Sequence, residues 1–154
     1  MRETLHLDLG PEQIKKLSSH YLNEGRKQES WRIGEIEIRG RELRTTVSMR
    51  SIYTSGTDSK GFHLTIFSTL EFLSELMIVY AHAWAGLPEK QKEGWMVESS
   101  TKSVRAIRNP DEIHVTMKVA SIKKLGENMM CLADYCVTDD QGGLFEVRLK
   151  GFLS

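Results

Sequence analysis

The sequence predicts an α+β domain in which a curved, six-stranded antiparallel sheet wraps one long apolar helix. Three observations carry that prediction. Between Trp31 and Met49 the apolar pattern has a period of two. From Leu64 to Gly86 it turns helical and apolar on nearly every side. After Pro88 come four more strand-like segments, separated by turn residues. The 154 residues and their 40% apolar content suit a single domain with a real core.

Gly10-Pro11-Glu12 opens a short N-terminal helix whose apolar stripe is Ile14, Leu17, Tyr21 and Leu22, and Asn23-Glu24-Gly25 ends it, so residues 1–25 read as a helical segment. The stretch from Trp31 to Ile38 then alternates, Arg39-Gly40-Arg41 reads as a turn, and Glu42 to Met49 as a second strand. Ser55 to Gly61 is the clearest loop, and its composition predicts a mobile segment. The central helix is expected over residues 67–86. Leu70, Leu73, Met77, Tyr80 and Trp84 form one stripe, and Phe67, Leu76, Ile78 and Val79 the opposite side. Gly86-Leu87-Pro88 stops it. Trp95–Ile107, Glu112–Ile122, Asn128–Val137 and Leu144–Phe152 follow as a four-stranded meander. A helix apolar all round must be covered all round, and a second copy of the domain is the natural cover for the side the sheet leaves. A homodimer or higher homo-oligomer is therefore expected.

Charge excludes some functions. Lysine plus arginine (21) balances aspartate plus glutamate (21), so no net field draws nucleic acid or an anionic membrane. Cys131 and Cys136 are five residues apart, on opposite faces of a strand, which disfavours a bridge and suggests free thiols in a reducing, cytoplasmic setting. Met1 to His6 lacks the apolar stretch of a signal peptide. Glu71, Glu75 and His82 interrupt the longest apolar run, against a membrane span. The five histidines fall into no metal-ligand spacing and no glycine-rich phosphate loop occurs, so neither metal nor cofactor is expected.

Two stretches carry a resemblance to a known superfamily. Val104 to Val115, with Asn109-Pro110-Asp111 at its centre, looks like a strand, Pro-centred turn, strand passage; Tyr135 to Val147 looks like a closing hairpin. Placed in this order after the long helix, they resemble the hot-dog superfamily of acyl-thioester enzymes over roughly 31–153. Ser51-Ile52-Tyr53, Gly61-Phe62-His63 and Phe67-Ser68-Thr69-Leu70-Glu71 are most similar to the FcoT-type long-chain acyl-CoA thioesterases. Where that family has an asparagine at the helix start this chain has Ser68, and a second family asparagine falls on Met77. The resemblance implies a hot-dog fold, an acyl-CoA or acyl carrier protein thioester as partner, and chemistry near the start of the helix.

Several residues could carry that chemistry. A carboxylate at Glu71 on a buried helix could activate water or attack a thioester carbonyl, its acidity weakened by burial. Ser68-Thr69-Leu70-Glu71 equally reads as a capping box, with Ser68 and Glu71 each bonded to the other's amide. Glu75 shares that face one turn on, and is either a second candidate or a solvated or interface acid. His82, seven residues further, is a satisfied core or interface histidine or, as a lesser candidate, a catalytic group. His63 could position water or polarise a carbonyl, or be a surface-loop histidine. Tyr53 is either part of the site or a strand-end aromatic packed on the helix. Backbone amides near Ser68 could hold an oxyanion. Phe67, Leu70 and Phe72 would line an apolar tunnel for the acyl chain. Arg105 and Arg108, with Lys102, Lys118, Lys123 and Lys124, could meet phosphates or form a solvated sheet face. The leading expectation is acyl-thioester hydrolysis by a water-activating carboxylate on the central helix. A 3-hydroxyacyl-thioester dehydratase using His63 and a helix glutamate, or a non-catalytic acyl-thioester-binding module, are the alternatives.

Overall fold

A computed structural model describes residues 5–19, 22–23, 26–54 and 56–154. The chain runs α1 (Pro11–Leu17), β1 (Leu22–Asn23), β2 (Arg26–Lys27), β3 (Ser30–Arg39), β4 (Glu42–Ser51), α2 (Ile66–Trp84), β5 (Gly94–Arg105), β6 (Ile113–Leu125), β7 (Asn128–Thr138) and β8 (Leu144–Leu153). The first helix is shorter than its apolar spacing suggested. It stops at Leu17 and has no buried side chain, because Ile14 and Leu17 find no surface to pack on. Leu22–Asn23 pairs antiparallel with Arg26–Lys27 instead of continuing the helix. Tyr21, Glu24 and Gly25 lie outside the described residues.

The large sheet has six strands in the order β3-β4-β6-β7-β8-β5, all antiparallel. The expected four-stranded meander is thus only partly present. β6, β7 and β8 form one, whereas β5 pairs with β8 at the far margin and β6 returns to β4. Composition agrees with these positions without choosing the neighbours. β6 alternates buried and exposed residues from Ile113 to Val119, as an interior strand covered on one face does. β5, with its Glu98-Ser-Ser-Thr-Lys-Ser run, is exposed over most of its length and suits an edge.

α2 is the core element. Its 19 residues span roughly 28 Å and lay Phe72, Leu73, Leu76, Met77, Tyr80 and Ala81 on the concave face of the sheet. Leu43, Val47, Met117, Ala133, Val147 and Leu149 meet them there. Buried phenols tie helix to sheet: Tyr135 donates to the Leu73 carbonyl (3.0 Å) and Tyr80 to that of Gly40 (2.8 Å). α2 is long and apolar enough to cross a membrane, but half of that stretch is buried inside the fold, as a core helix requires. Its other flank is exposed at Phe67, Val79 and Trp84.

The segment between β5 and β6 crosses the end of the sheet, where Asp139 fastens it. One carboxylate oxygen accepts from the amides of Arg108 (2.8 Å) and Asn109 (2.9 Å), the other from those of Gln141 (3.1 Å) and Gly143 (2.7 Å). Burial works to raise the Asp139 pKa, but these donors outweigh it and hold the carboxyl below its ordinary range. The same segment is clipped to its neighbours by Leu64 N–H to Ile107 (2.8 Å) and Met49 N–H to Pro110 (2.7 Å).

Candidate active site

Thr65 decides where α2 begins. It has extended backbone, and its hydroxyl accepts from the Ser68 amide (3.1 Å) while its carbonyl takes the Thr69 amide (3.1 Å) and hydroxyl (2.7 Å). The expected capping box at Ser68–Glu71 is therefore not formed. The helix starts earlier, Ser68 lies inside its first turn, and Glu71 is too far along to reach back to a cap. The Ser68 and Thr69 amides, expected to await an oxyanion, are both bonded to Thr65.

Released from capping, the Ser68 hydroxyl is fully buried and donates to the Glu29 carboxylate (3.4 Å). Glu29 is itself only 6% exposed and accepts from the Tyr53 amide (3.3 Å). A buried carboxylate thus joins three segments: the approach to β3, the end of β4 and the start of α2. Beside it opens a cleft of about 770 Å³, lined by Glu29, Tyr53, His63, Thr65 and Phe67 and flanked by the end of α1 and by Gly56 and Thr57.

His63 is oriented by the loop before it. Its Nδ1 lies 2.7 Å from Asp58, which also accepts from the Lys60 amide (3.0 Å) and from the Arg108 guanidinium (3.1 Å). The Lys60 amide first, then His63 and Arg108, hold the Asp58 carboxyl below its ordinary pKa despite partial burial. An ionised Asp58 accepts the Nδ1 hydrogen, so Nε2 is the ring nitrogen that can take a proton. Chemically, that arrangement can serve as a base with an orienting acid. The loop expected to be mobile is anchored at Asp58, with Gly56 and Thr57 on the cleft wall.

The structure thus brings His63, Tyr53, Phe67 and, through Glu29, Ser68 together. It leaves the helix acids elsewhere. Glu71 is exposed, not buried as expected, and accepts the Trp31 indole N–H at 2.8 Å; Glu75 is exposed one turn on; neither lines the cleft. Phe72 is in the core, edge-on to Trp31 with ring centres 6.0 Å apart, and Leu70 packs partly buried against that core. Arg105 donates to the Gly142 carbonyl (2.7 Å), whereas Arg108 turns its guanidinium onto Asp58 and the Phe62 carbonyl (3.4 Å). His82 is a satisfied core histidine: Nδ1–H donates to Ile78 (2.8 Å) and Nε2 accepts from the amides of Gln91 (3.1 Å) and Lys92 (3.2 Å). No cluster suited to a metal occurs among the described residues. Sequence reasoning missed Glu29 and Asp58. Asp58 had a signal, a carboxylate five residues before His63 in a turn-forming loop. Glu29, within Gln-Glu-Ser, had none.

The curved six-stranded sheet around one long helix is the hot-dog fold. Solved structures share it at low sequence identity. A thioesterase from Haemophilus influenzae is 11% identical with a TM-score of 0.53, covering 96% of this chain and 92% of its own. A mutant thioesterase from Pseudomonas aeruginosa is 13% identical with a TM-score of 0.54, covering 80% of each chain. A hypothetical thioesterase from Streptococcus pneumoniae, solved with coenzyme A, is 12% identical with a TM-score of 0.53, covering 81% of this chain and 86% of its own. No family model matches the sequence, and no curated protein matches it.

Proposed function

We propose that the chain hydrolyses acyl thioesters in the cleft at the start of α2, with His63 as general base. The observation that carries this reading is His63, on the wall of a cleft that also holds Tyr53 and Glu29, with the Asp58 carboxylate 2.7 Å from its Nδ1. The thioesterases that share the fold, one of them solved with coenzyme A, support the substrate class. His63 Nε2 takes a proton from water as the water oxygen attacks the thioester carbonyl. The Tyr53 phenol donates to the carbonyl oxygen as charge develops there. The carbon–sulfur bond then breaks, the imidazolium returns the proton to the leaving thiolate, and acid and thiol are released. Asp58 holds the imidazole in the required tautomer and stabilises its charged form. Glu29, bonded to the Tyr53 amide and the Ser68 hydroxyl, fixes the cleft walls relative to each other. This moves the water-activating role from a helix glutamate to His63.

A long-chain acyl group carried on coenzyme A is the finer part of this reading, supported by the Ser51–Tyr53 and Gly61–His63 likeness. A cytoplasmic location goes with it, supported by the two free thiols. The test is thiol release from a panel of acyl-CoA and acyl carrier protein thioesters, by wild type and His63→Gln. The reading requires turnover on at least one thioester and its loss, by about 10²–10⁴-fold, in the variant. A histidine and a glutamate in one cleft also suit dehydration of a 3-hydroxyacyl thioester. Enoyl formation without thiol release would establish that reaction instead, and saturable binding without either product a binding module.

A further inference from the structure

Arg108, expected to meet phosphate or solvent, turns its guanidinium inward onto the loop that leads to His63. Nη1 lies 3.1 Å and 3.3 Å from the two oxygens of Asp58 and 3.4 Å from the carbonyl of Phe62. The first contact leads to the His63 ring, because the Asp58 oxygen at 3.1 Å is the one that sits 2.7 Å from Nδ1. The last leads to the His63 main chain, because Phe62 is the residue before it. One side chain therefore holds His63 by both ends. The side chains of Arg108 and Asp58 are 25% and 19% exposed, so water and salt screen this pair less than an open one such as Arg148 with Asp134, 54% exposed on each side.

Arg108 is itself held in place. Its amide and that of Asn109 donate to Asp139 in the closing hairpin (2.8 Å and 2.9 Å). The Ile107 carbonyl before it accepts from Leu64 at the approach to α2, and the Pro110 carbonyl after it from Met49 in β4. Residues 107–110 are thus tied to three separate parts of the fold. Bonds inside the loop, from the Lys60 amide to the Asp58 carboxylate (3.0 Å) and from the Gly61 amide to the Asp58 carbonyl (3.3 Å), give it shape but do not attach it to the sheet. The Arg108 side chain does.

We propose that Arg108 is the positioning residue of this site: it carries the rigid frame of the sheet to Asp58 and His63 and so aims Nε2 into the cleft. The proposal rests on the reading of His63 as general base. Arg108 touches neither substrate nor water and moves no proton. It acts through the Asp58 carboxylate and the Phe62 carbonyl, for which Nη1 has one hydrogen each. Both contacts come from one planar, permanently charged group, whose geometry a flexible ammonium matches only in part. Without it the loop keeps its own bonds but loses its place relative to Tyr53, and a misplacement of about 1 Å costs up to about 10²-fold in rate.

Steady-state kinetics of Arg108→Ala and Arg108→Lys, on a thioester that wild type turns over, test this. Arg108→Ala should lose about 10–10²-fold in kcat with KM within about twofold of wild type, and Arg108→Lys should lose less. Guanidinium chloride at about 20–50 mM, well below unfolding concentrations, should raise kcat of Arg108→Ala at least about threefold by taking the vacated place on Asp58. It should not raise that of wild type or of Asp58→Ala. A misfolded variant could not give that recovery. A second measurement needs no substrate: the ¹⁵N spectrum of the His63 imidazole, assigned through His63→Gln. Wild type should carry the ring hydrogen on Nδ1, and Arg108→Ala a mixture of the two tautomers. If wild type turns over no thioester, the reading of the reaction fails and this spectrum alone decides the positioning. Wild-type kcat in Arg108→Ala, a loss that guanidinium leaves unchanged, or an unaltered tautomer would each overturn the proposal.

Discussion

His63 and Asp58 act as one unit if His63 is the base, and that makes their substitutions non-additive. Asp58→Asn should lower kcat by about 10–10³-fold with little change in KM, and His63→Gln by about 10²–10⁴-fold. The double variant should be no slower than His63→Gln alone; steady-state kinetics giving a product of the two losses would mean that Asp58 acts separately. Glu71→Gln is the contrasting case. Glutamine keeps an oxygen for the Trp31 indole, so turnover and stability should stay within about twofold and about 0.5 kcal/mol of wild type. Asp139 makes a different prediction, in stability. Its folded pKa is depressed by four amide donors, so the stabilisation is present above the unfolded carboxylate pKa of about 3.9 and fades as pH falls through the lower folded value. Asp139→Asn should lose about 1–3 kcal/mol at pH 7 and show a smaller further loss below pH 4 than wild type, measured by denaturant unfolding across pH. The place of His63 and Tyr53 on one cleft was legible because each flanks a loop next to a helix start. Glu29 was not: a glutamate in a polar stretch looks solvated until the fold places it against Ser68 and Tyr53.

Elements were legible in type more than in arrangement. Strand periodicity gave all six strands of the large sheet, and the Arg39-Gly40-Arg41 turn appears where expected, with Gly40 at a φ of 59°. Periodicity is local, however, and strand order is not. Nothing within residues 94–105 says that they pair with 144–153 and not with the next strand. The close approaches between elements give a direct test. A Cβ on Gly94 would lie 2.7 Å from the Ile78 side chain of α2, and one on Gly143 would lie 2.7 Å from the backbone of Ile107 as well as from the Asp139 carboxylate. Isoleucine can shift its rotamer, but the crossing segment held by Asp139 cannot. Gly94→Ala should therefore cost about 1–3 kcal/mol as ordinary overpacking, and Gly143→Ala more, with thermal melting ranking the two. Equal melting temperatures would mean that the crossing segment yields as easily as a side chain.

For the molecule as a whole, the two cysteines separate local from global motion. Cys136 is exposed on β7, whereas Cys131 is fully buried and its thiol pKa is pushed up to about 11 by burial. A thiol reagent at pH 8 should modify Cys136 promptly and Cys131 only as fast as the core opens, so mass spectrometry of the second adduct measures opening of the sheet. Rapid double labelling of native protein would contradict a core closed around Cys131. The strand order itself has a consequence for synthesis. β5 leaves the ribosome before β6 and β7, yet its hydrogen-bonding neighbour β8 is made after both. At translation rates of about 5–20 residues per second, the 38 residues between Arg105 and Leu144 take roughly 2–8 s to make. For that interval a strand bearing Trp95, Met96 and Val97 has both edges open on a nascent chain. Its serine- and threonine-rich centre, with a charge on either side, then acts as a gatekeeper, keeping growing chains on one polysome from joining strand to strand before their own β8 arrives.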